Sequence, residues 1–161
     1  MLTKKGKYGL KALVDLAHLD PGETAFITEI ATRNNIPKKF LDAILLEMRN
    51  AGFLKSKKGP GGGYSLSRPA SQIRIGQVVR TLDGPLAPIR CASRSAYEVC
   101  DDCNDPETCE VRRAMTVVRD AMADILDSMT LEDFIANPQT RQISDASSTA
   151  VAVEPVVKRV S

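Results

Sequence analysis

The chain of 161 residues has no tryptophan, 4 Phe, 3 Tyr and a single histidine. So few aromatic rings exclude a core built on them and leave an aliphatic one. One histidine, His18, excludes any site that needs two imidazoles. It lies at a predicted helix end, where it reads as a surface or packing residue. No nucleophile–base constellation stands out either, so no enzyme is expected. No apolar run approaches the roughly 20 residues of a membrane helix. The opening MLTKKGKYGLKALVDLAHL starts with a basic run followed by apolar residues, but Lys11, Asp15 and His18 interrupt the apolar part and no small-residue cleavage site follows. It is therefore not read as an export leader. The glycine run Gly59-Pro-Gly-Gly-Gly63 lacks the Gly-Lys-Ser/Thr that a nucleotide phosphate loop would carry. A cytoplasmic protein is expected, with no membrane partner and no small-molecule substrate.

Cysteine is also missing from most of the chain. All four lie within 19 positions, as Cys91-x8-Cys100-x2-Cys103-x5-Cys109. In a cytosolic protein structural disulfides are not expected, and thiols gathered this way bind metal or respond to redox change. Four thiolates suit zinc, which accepts the Cys100-x2-Cys103 pair, and thiolates are equally the ligands of iron–sulfur clusters. A metal-free disulfide switch is a third reading. The cluster also sits where the chain changes sign: residues 1–90 carry 15 Lys/Arg against 7 Asp/Glu, and residues 91–161 carry 7 against 13. A basic head joined through cysteines to an acidic half suggests a polyanion binder governed by a metal or redox element.

Periodicity predicts a mainly α protein with a small β-hairpin. Residues 4–19 form an amphipathic helix on Leu10, Leu13, Val14 and Ala17, capped by Thr3 and ended by Asp20-Pro21-Gly22. Thr28 caps a short helix over 29–34, and Asn34-Asn35 makes the break. Pro37 opens a third helix that buries Leu41, Ile44, Leu45 and Met48, with Gly52 in the left-handed position past its end. Two short strands, 53–58 and 64–67, flank the glycine tip, and a further helix covers 75–82. Residues 83–109 read as a loop. Asp105-Pro106 has the form of an N-cap with a first-turn proline, opening a long helix that includes Cys109 in its first turn, where the helix dipole favours a thiolate. Val111, Met115, Val118, Met122, Ile125 and Met129 recur at spacings of 4, 3, 4, 3 and 4, a heptad-like stripe long enough for a partner helix. Thr130-x-x-Asp133 caps a last short helix, and from about residue 137 the chain loses periodicity and reads as a disordered tail. The expected organisation is a DNA-binding head (1–82), a sensor loop (83–109), a dimerisation helix with its short terminal helix (110–136) and the tail (137–161).

Two short helices, a turn and a hairpin describe a winged helix-turn-helix. A helix fits the major groove and its N-terminal side chains reach base edges; here these are Lys38, Lys39, Phe40 and Asp42. Thr28 precedes them on the shorter helix. The hairpin adds Lys55, Lys57 and Lys58, and the flexible tip at Gly59, Pro60 and Gly61 can approach phosphates closely. Lys4, Lys5 and Lys7 lie before or within the first turn of the first helix, where free NH groups also favour phosphate. Tyr64 packs under the wing.

The stretches LTKKGKYGLKALVDLA and NNIPKKFLDAILLEMRNAGFLKSKKGPGGGYSLSRPAS, with the cysteine segment ahead of a long helix, resemble the Rrf-type winged-helix iron–sulfur transcription regulators (IscR-, NsrR- and RirA-like). The likeness covers residues 1–135 or so, and GPGGGY is its most specific part. It implies a homodimeric regulator, a repressor, paired through the long helix on a two-fold related operator of double-stranded DNA. It places Lys38–Asp42 in the recognition helix and Lys58-Gly59-Pro60 at the wing. Where IscR-like proteins have an acidic residue followed by Gln, this chain has Asp42 and Ala43. The resemblance also implies a 2Fe–2S or 4Fe–4S cluster on Cys91, Cys103 and Cys109, sensing iron, cluster supply, redox state or nitric oxide. The fourth ligand does not transfer: the IscR-type His position holds Arg112, and the acidic position in the first helix holds Lys7. Cys100 is then the candidate. The alternative is a zinc-stabilised structural or partner-binding adaptor.

Overall fold

The computed structural model describes residues 2–136; the expectation for the tail at 137–161 falls outside the described residues. Helix α1 (Lys4–Ala17) starts where expected, with Thr3 Oγ1 accepting from the NH groups of Lys5 at 3.1 Å and Gly6 at 3.4 Å. It ends two residues before the expected boundary, at the cap His18. Its buried stripe of Leu10, Leu13 and Leu16 faces α2 (Ile27–Asn34) and α3 (Lys38–Asn50). Asn35, at φ 51°, takes the left-handed conformation that breaks α2 from α3. Pro37 stands at the cap of α3 rather than inside its first turn, and Leu41, Ile44, Leu45 and Met48 are buried as expected. Burying each such side chain contributes about 1.5–3 kcal/mol.

Thr28 does not cap α2. The helix begins at Ile27, because Ala25 is pinned by two backbone hydrogen bonds with Tyr64 (2.9 and 2.8 Å) and the Glu29 carboxylate reaches back to accept from Phe26 NH at 2.6 Å. Thr28 instead lies exposed in the first turn.

The wing is an antiparallel hairpin, β1 (Leu54–Lys57) with β2 (Gly63–Leu66), in register from Leu54 opposite Leu66 to Lys57 opposite Gly63. Ala25 adds a single-residue third rung on Tyr64. The wing is thereby joined to the start of α2, and Tyr64 packs against the core. The joint needs glycine. Gly63 has φ 128°, and a Cβ there would stand 2.5 Å from the Ala25 carbonyl oxygen.

Helix α4 (Ile75–Asp83) lies against α1, which approaches it through Gly9: a Cβ there would collide with the Leu82 side chain. The segment that follows has one short 3-10 turn, Arg90–Ala92. The long helix α5 runs from Glu110 to Ser128. It starts later than expected because Asp105 closes a local turn instead of a helix, accepting from Glu107 NH at 2.9 Å and Thr108 Oγ1 at 3.0 Å. Cys109, expected in the first turn, is the N-cap.

Met129 also departs from the expected stripe. It caps the C-terminus of α5, its carbonyl accepts from Ile75 NH at 3.0 Å, and it packs against the head core. A capping box of Thr130 with Asp133 then starts α6 (Leu131–Ile135), as expected. Leu131 is fully buried in the head core and its NH donates to the Ile73 carbonyl at 2.8 Å. The last short helix therefore seals the head rather than extending the long helix. Arg80 of α4 and Asp127 of α5 make a two-pronged ion pair (2.5 and 2.8 Å) beside this joint. None of the helices among the described residues is long and apolar enough to cross a membrane.

Two predictions follow from these joints. Gly63→Ala should destabilise the fold by about 1–3 kcal/mol, through strain at a positive φ and the clash with Ala25; a denaturant titration measures it, and Gly22→Ala, whose Cβ meets nothing within 4 Å, should cost less. The Arg80 guanidinium holds the Asp127 carboxyl below its ordinary pKa by hydrogen bonding. Its contribution is thus present above the unfolded aspartate pKa and lost as pH falls through the depressed folded value. Both partners are more than a third exposed, so Asp127→Asn should cost under about 1 kcal/mol at neutral pH. That difference from wild type should vanish in acid-shifted melts.

Candidate DNA interface and cysteine segment

The predicted DNA-contacting residues occupy the surface of the head. Lys38, Lys39, Phe40 and Asp42 are exposed on the first turns of α3; Lys55, Lys57, Lys58, Gly59, Pro60 and Gly61 are exposed on the wing. Thr24 Oγ1 donates to the Gly61 and Gly62 carbonyls at 3.1 and 2.7 Å, and Gly62 NH donates to the Gly59 carbonyl at 2.8 Å. The tip is therefore a held turn, with positive φ at Gly59, Gly61 and Gly63. Among the described residues no carboxylate pairs with Lys39, Lys55, Lys57 or Lys58, whereas Lys38 lies 3.9 Å from Asp42.

The first helix differs from expectation. Lys4 and Lys7 are exposed, but Lys5 is paired with Glu47 at 2.6 Å. The NH groups at the start of α1 are not free for phosphate either. The Asp83 carboxylate accepts from Thr3 NH at 2.8 Å, Thr3 Oγ1 at 2.5 Å and Gly6 NH at 3.0 Å. A Cβ on Gly6 would collide with that carboxylate, so glycine here is what admits the cap. Sequence reasoning missed Asp83, which lies almost 80 residues from the NH groups it binds.

The four cysteines are free thiols: Cys91 buried, and Cys100, Cys103 and Cys109 partly buried. The neighbouring Cys91 thiol, then desolvation and nearby charges, raise the Cys100 pKa. Desolvation, then proximity to Cys109 and Cys91, raises that of Cys103. Even so, among the described residues no three potential ligands already stand close enough to hold a metal. Cys103 NH donates to the Cys100 carbonyl at 3.1 Å, so this pair shares one turn. Cys109 Sγ accepts from Arg112 NH at 3.4 Å.

Arg112, where the resemblance would put a histidine ligand, has a different task. Its Nε donates to the Cys91 carbonyl at 3.0 Å, an Nη donates to the Pro106 carbonyl at 3.1 Å, and its guanidinium lies 5.6 Å from the centre of the Tyr97 ring. One turn-pair further along α5, Arg119 donates to the Ala92 carbonyl at 2.5 Å. These two arginines, seven residues apart on one helix face, fasten the cysteine segment to α5. Their spacing is the only sequence signal of it. His18 is exposed, with Nδ1 2.7 Å from the Val14 carbonyl oxygen, and takes no part.

Helix α5 has no buried residue. Val111 is 63% exposed, Val118 42% and Ile125 44%, with Met115 and Met122 partly buried beside them. An apolar stripe of this length is uncovered within the single chain.

A hairpin wing behind a helix-turn-helix, with exposed unpaired lysines on both, defines a winged-helix DNA-binding regulator. The Rrf2 family, described as "Iron-dependent Transcriptional regulator", matches residues 2–137, and the chain belongs to that family. It is 45% identical over 150 residues to an rrf2-like HTH-type transcriptional regulator of Rhodobacter capsulatus, covering 90% of this chain and all of that one. The solved structure of CymR, the global cysteine regulator of B. subtilis, superposes with a TM-score of 0.69 at 33% identity, covering 84% of this chain and 96% of that one. IscR of T. potens superposes at 0.67 with 25% identity, covering 88% and 92%. The family is one of transcriptional regulators, not of enzymes.

If the wing contacts phosphates, the double variant Lys57→Ala with Lys58→Ala should weaken duplex binding and reduce the slope of log affinity against log salt by about two. Fluorescence anisotropy across a salt series measures both.

Proposed function

We propose that the chain binds a two-fold related DNA operator as a homodimer paired along α5, and that an iron–sulfur cluster held by the cysteine segment sets the operator affinity. The observation that carries this reading is that the cysteine segment is fastened by Arg112 and Arg119 to the helix whose apolar stripe is left uncovered. Pairing along Val111, Met115, Val118, Met122 and Ile125 would bury that stripe. In this reading the dimer represses by occupying DNA that other proteins would otherwise bind.

The donor set fits the cofactor. Four free thiols on one short segment, one buried and three partly buried, are the ligand type that iron–sulfur clusters take. Cys91, Cys103 and Cys109 would hold it, with Cys100 in the fourth position. Arg112 cannot ligate, because a guanidinium is a donor only. A thiolate-held cluster supplies a redox-sensitive and ligand-sensitive charged centre. Ligation requires the thiols to lose protons and to come closer than they stand, so cluster occupancy and segment conformation are linked. The segment reaches the head through α5. Cys109 caps α5, and the far end of α5 is tied back through Met129, Leu131 and the Arg80–Asp127 pair. A change in the segment thereby biases how the paired heads sit relative to each other. The family description as iron-dependent and the IscR likeness support this reading, and the CymR likeness supports the regulatory role without specifying the metal.

Anaerobic reconstitution with iron and sulfide should give a coloured protein containing both, and Cys→Ser at positions 91, 103 and 109 should each lose them. A colourless protein free of iron and sulfide would overturn the cluster. Stoichiometric zinc without visible absorption would favour the structural adaptor instead.

A further inference from the structure

The outward surface of α3 carries an apolar ridge that phosphate contacts and hydrogen bonds to base edges leave unexplained. Phe40 is 62% exposed and Leu46 45%, and Ala43 between them is also exposed. Residues three apart are neighbours on a helix surface, so Phe40, Ala43 and Leu46 form one diagonal row. The helix does not need them for its own packing, since Leu41, Ile44, Leu45 and Met48 fill the buried face. Leaving a phenyl ring and a leucine in water on the most exposed helix of the head is unfavourable unless something apolar covers them.

The surroundings indicate what does. Lys39 is exposed on the same surface, and Lys55, Lys57 and Lys58 stand on the wing that follows, with no carboxylate paired to any of them among the described residues. A ridge on a head that carries exposed unpaired cations on this helix and on the wing fits a polyanion better than an apolar groove on another protein. Within the major groove of duplex DNA the apolar feature is the C5-methyl group of thymine. The row spans about 9 Å along the helix at roughly 1.5 Å per residue, the rise of two to three base pairs at about 3.4 Å each. Its middle position, Ala43, has no hydrogen-bonding side chain, so at that point the surface is built to touch rather than to exchange hydrogen bonds.

We infer that Phe40, with Ala43 beside it and Leu46 flanking, is a specificity-determining residue that reads thymine methyl groups in the operator by apolar contact. The inference rests on the DNA-binding reading above and adds to it the class of base feature recognised. Its specificity would favour A·T pairs at defined positions, with the lysines contributing sequence-independent affinity.

Duplexes selected by the full-length protein from a random pool supply the probe. Replacing each thymine in turn by deoxyuridine removes one methyl and alters no hydrogen-bonding group. At one or two positions per half-site the wild-type protein should lose about fourfold in affinity, the contribution of burying one methyl-sized group. At those positions the Phe40→Ala protein should bind thymine and deoxyuridine duplexes equally, with its salt dependence unchanged. Because Phe40 is largely exposed, this variant should melt like wild type. Salt-dependent binding to the selected duplexes without any deoxyuridine penalty, or a penalty that persists in Phe40→Ala, would overturn the inference and leave the DNA-binding reading standing. Failure to select or retain any duplex would overturn both.

Discussion

The attachment of the cysteine segment to α5 rests on arginine side chains, Arg112 and Arg119 reaching from the helix and Arg94 reaching back to Asp120 at 2.9 Å. Residues 84–109 contain a single 3-10 turn and contribute little to the apolar core, so they have few contacts that would fix their place. Arg112 bonds the carbonyls of Cys91 and Pro106, which lie at the two ends of the segment, and Arg119 bonds that of Ala92. A planar guanidinium with several donors suits this task, since it can hold two backbone acceptors at once without changing charge. Hydrogen bonds to a charged donor contribute about 1.5–3 kcal/mol each, enough to hold a loop yet small enough to be overcome by ligand binding.

In the proposed reading the rest of the molecule transmits what happens there. Cys109 is both a candidate ligand and the N-cap of α5, so its chemistry bears directly on where that helix starts. At the other end, the Met129 carbonyl and Leu131 NH pair with Ile75 and Ile73, making α5 an extension of the head's own backbone network. Within the head, Ala25 joins the wing to α2 and Asp83 joins α4 to the start of α1. No long-range wire is needed. In the proposed reading, a helix tied to the head and a loop clamped on that helix let a change at the thiols reorient one head against another.

Much of this was legible in the sequence. The wing could be read because its glycines are required by backbone conformation at Gly59, Gly61 and Gly63, and a residue type forced by φ leaves a clear mark. The buried stripe of α3 was legible from its helical spacing, the break at Asn34-Asn35 from its residue types, and Gly52 from its left-handed position past the helix end. The errors are equally specific. Asp105-Pro106 satisfies the rules for a helix start, yet Asp105 spends its carboxylate on the local turn with Glu107 and Thr108, and the helix waits for Cys109. Thr28 looked like a cap, but the Ala25–Tyr64 rung fixes the chain earlier and lets Glu29 reach Phe26. The heptad spacing continues through Met129 in sequence while the helix ends there, because β-type pairing with Ile75 competes for the same backbone. Arg112 and Arg119 were not legible as clamps, since their partners are carbonyls, which every residue has. Nor was Asp83 at the start of α1, a contact made only when the chain is folded.

The central claim is that the state of the cysteine segment governs the DNA-binding head. The most direct measurement is operator affinity at fixed salt for cluster-loaded and cluster-free protein from one preparation, with the dimer population checked in both. The account predicts affinities that differ within the roughly 5–150-fold range typical of allosteric coupling. Equal affinities in two dimeric states would contradict it.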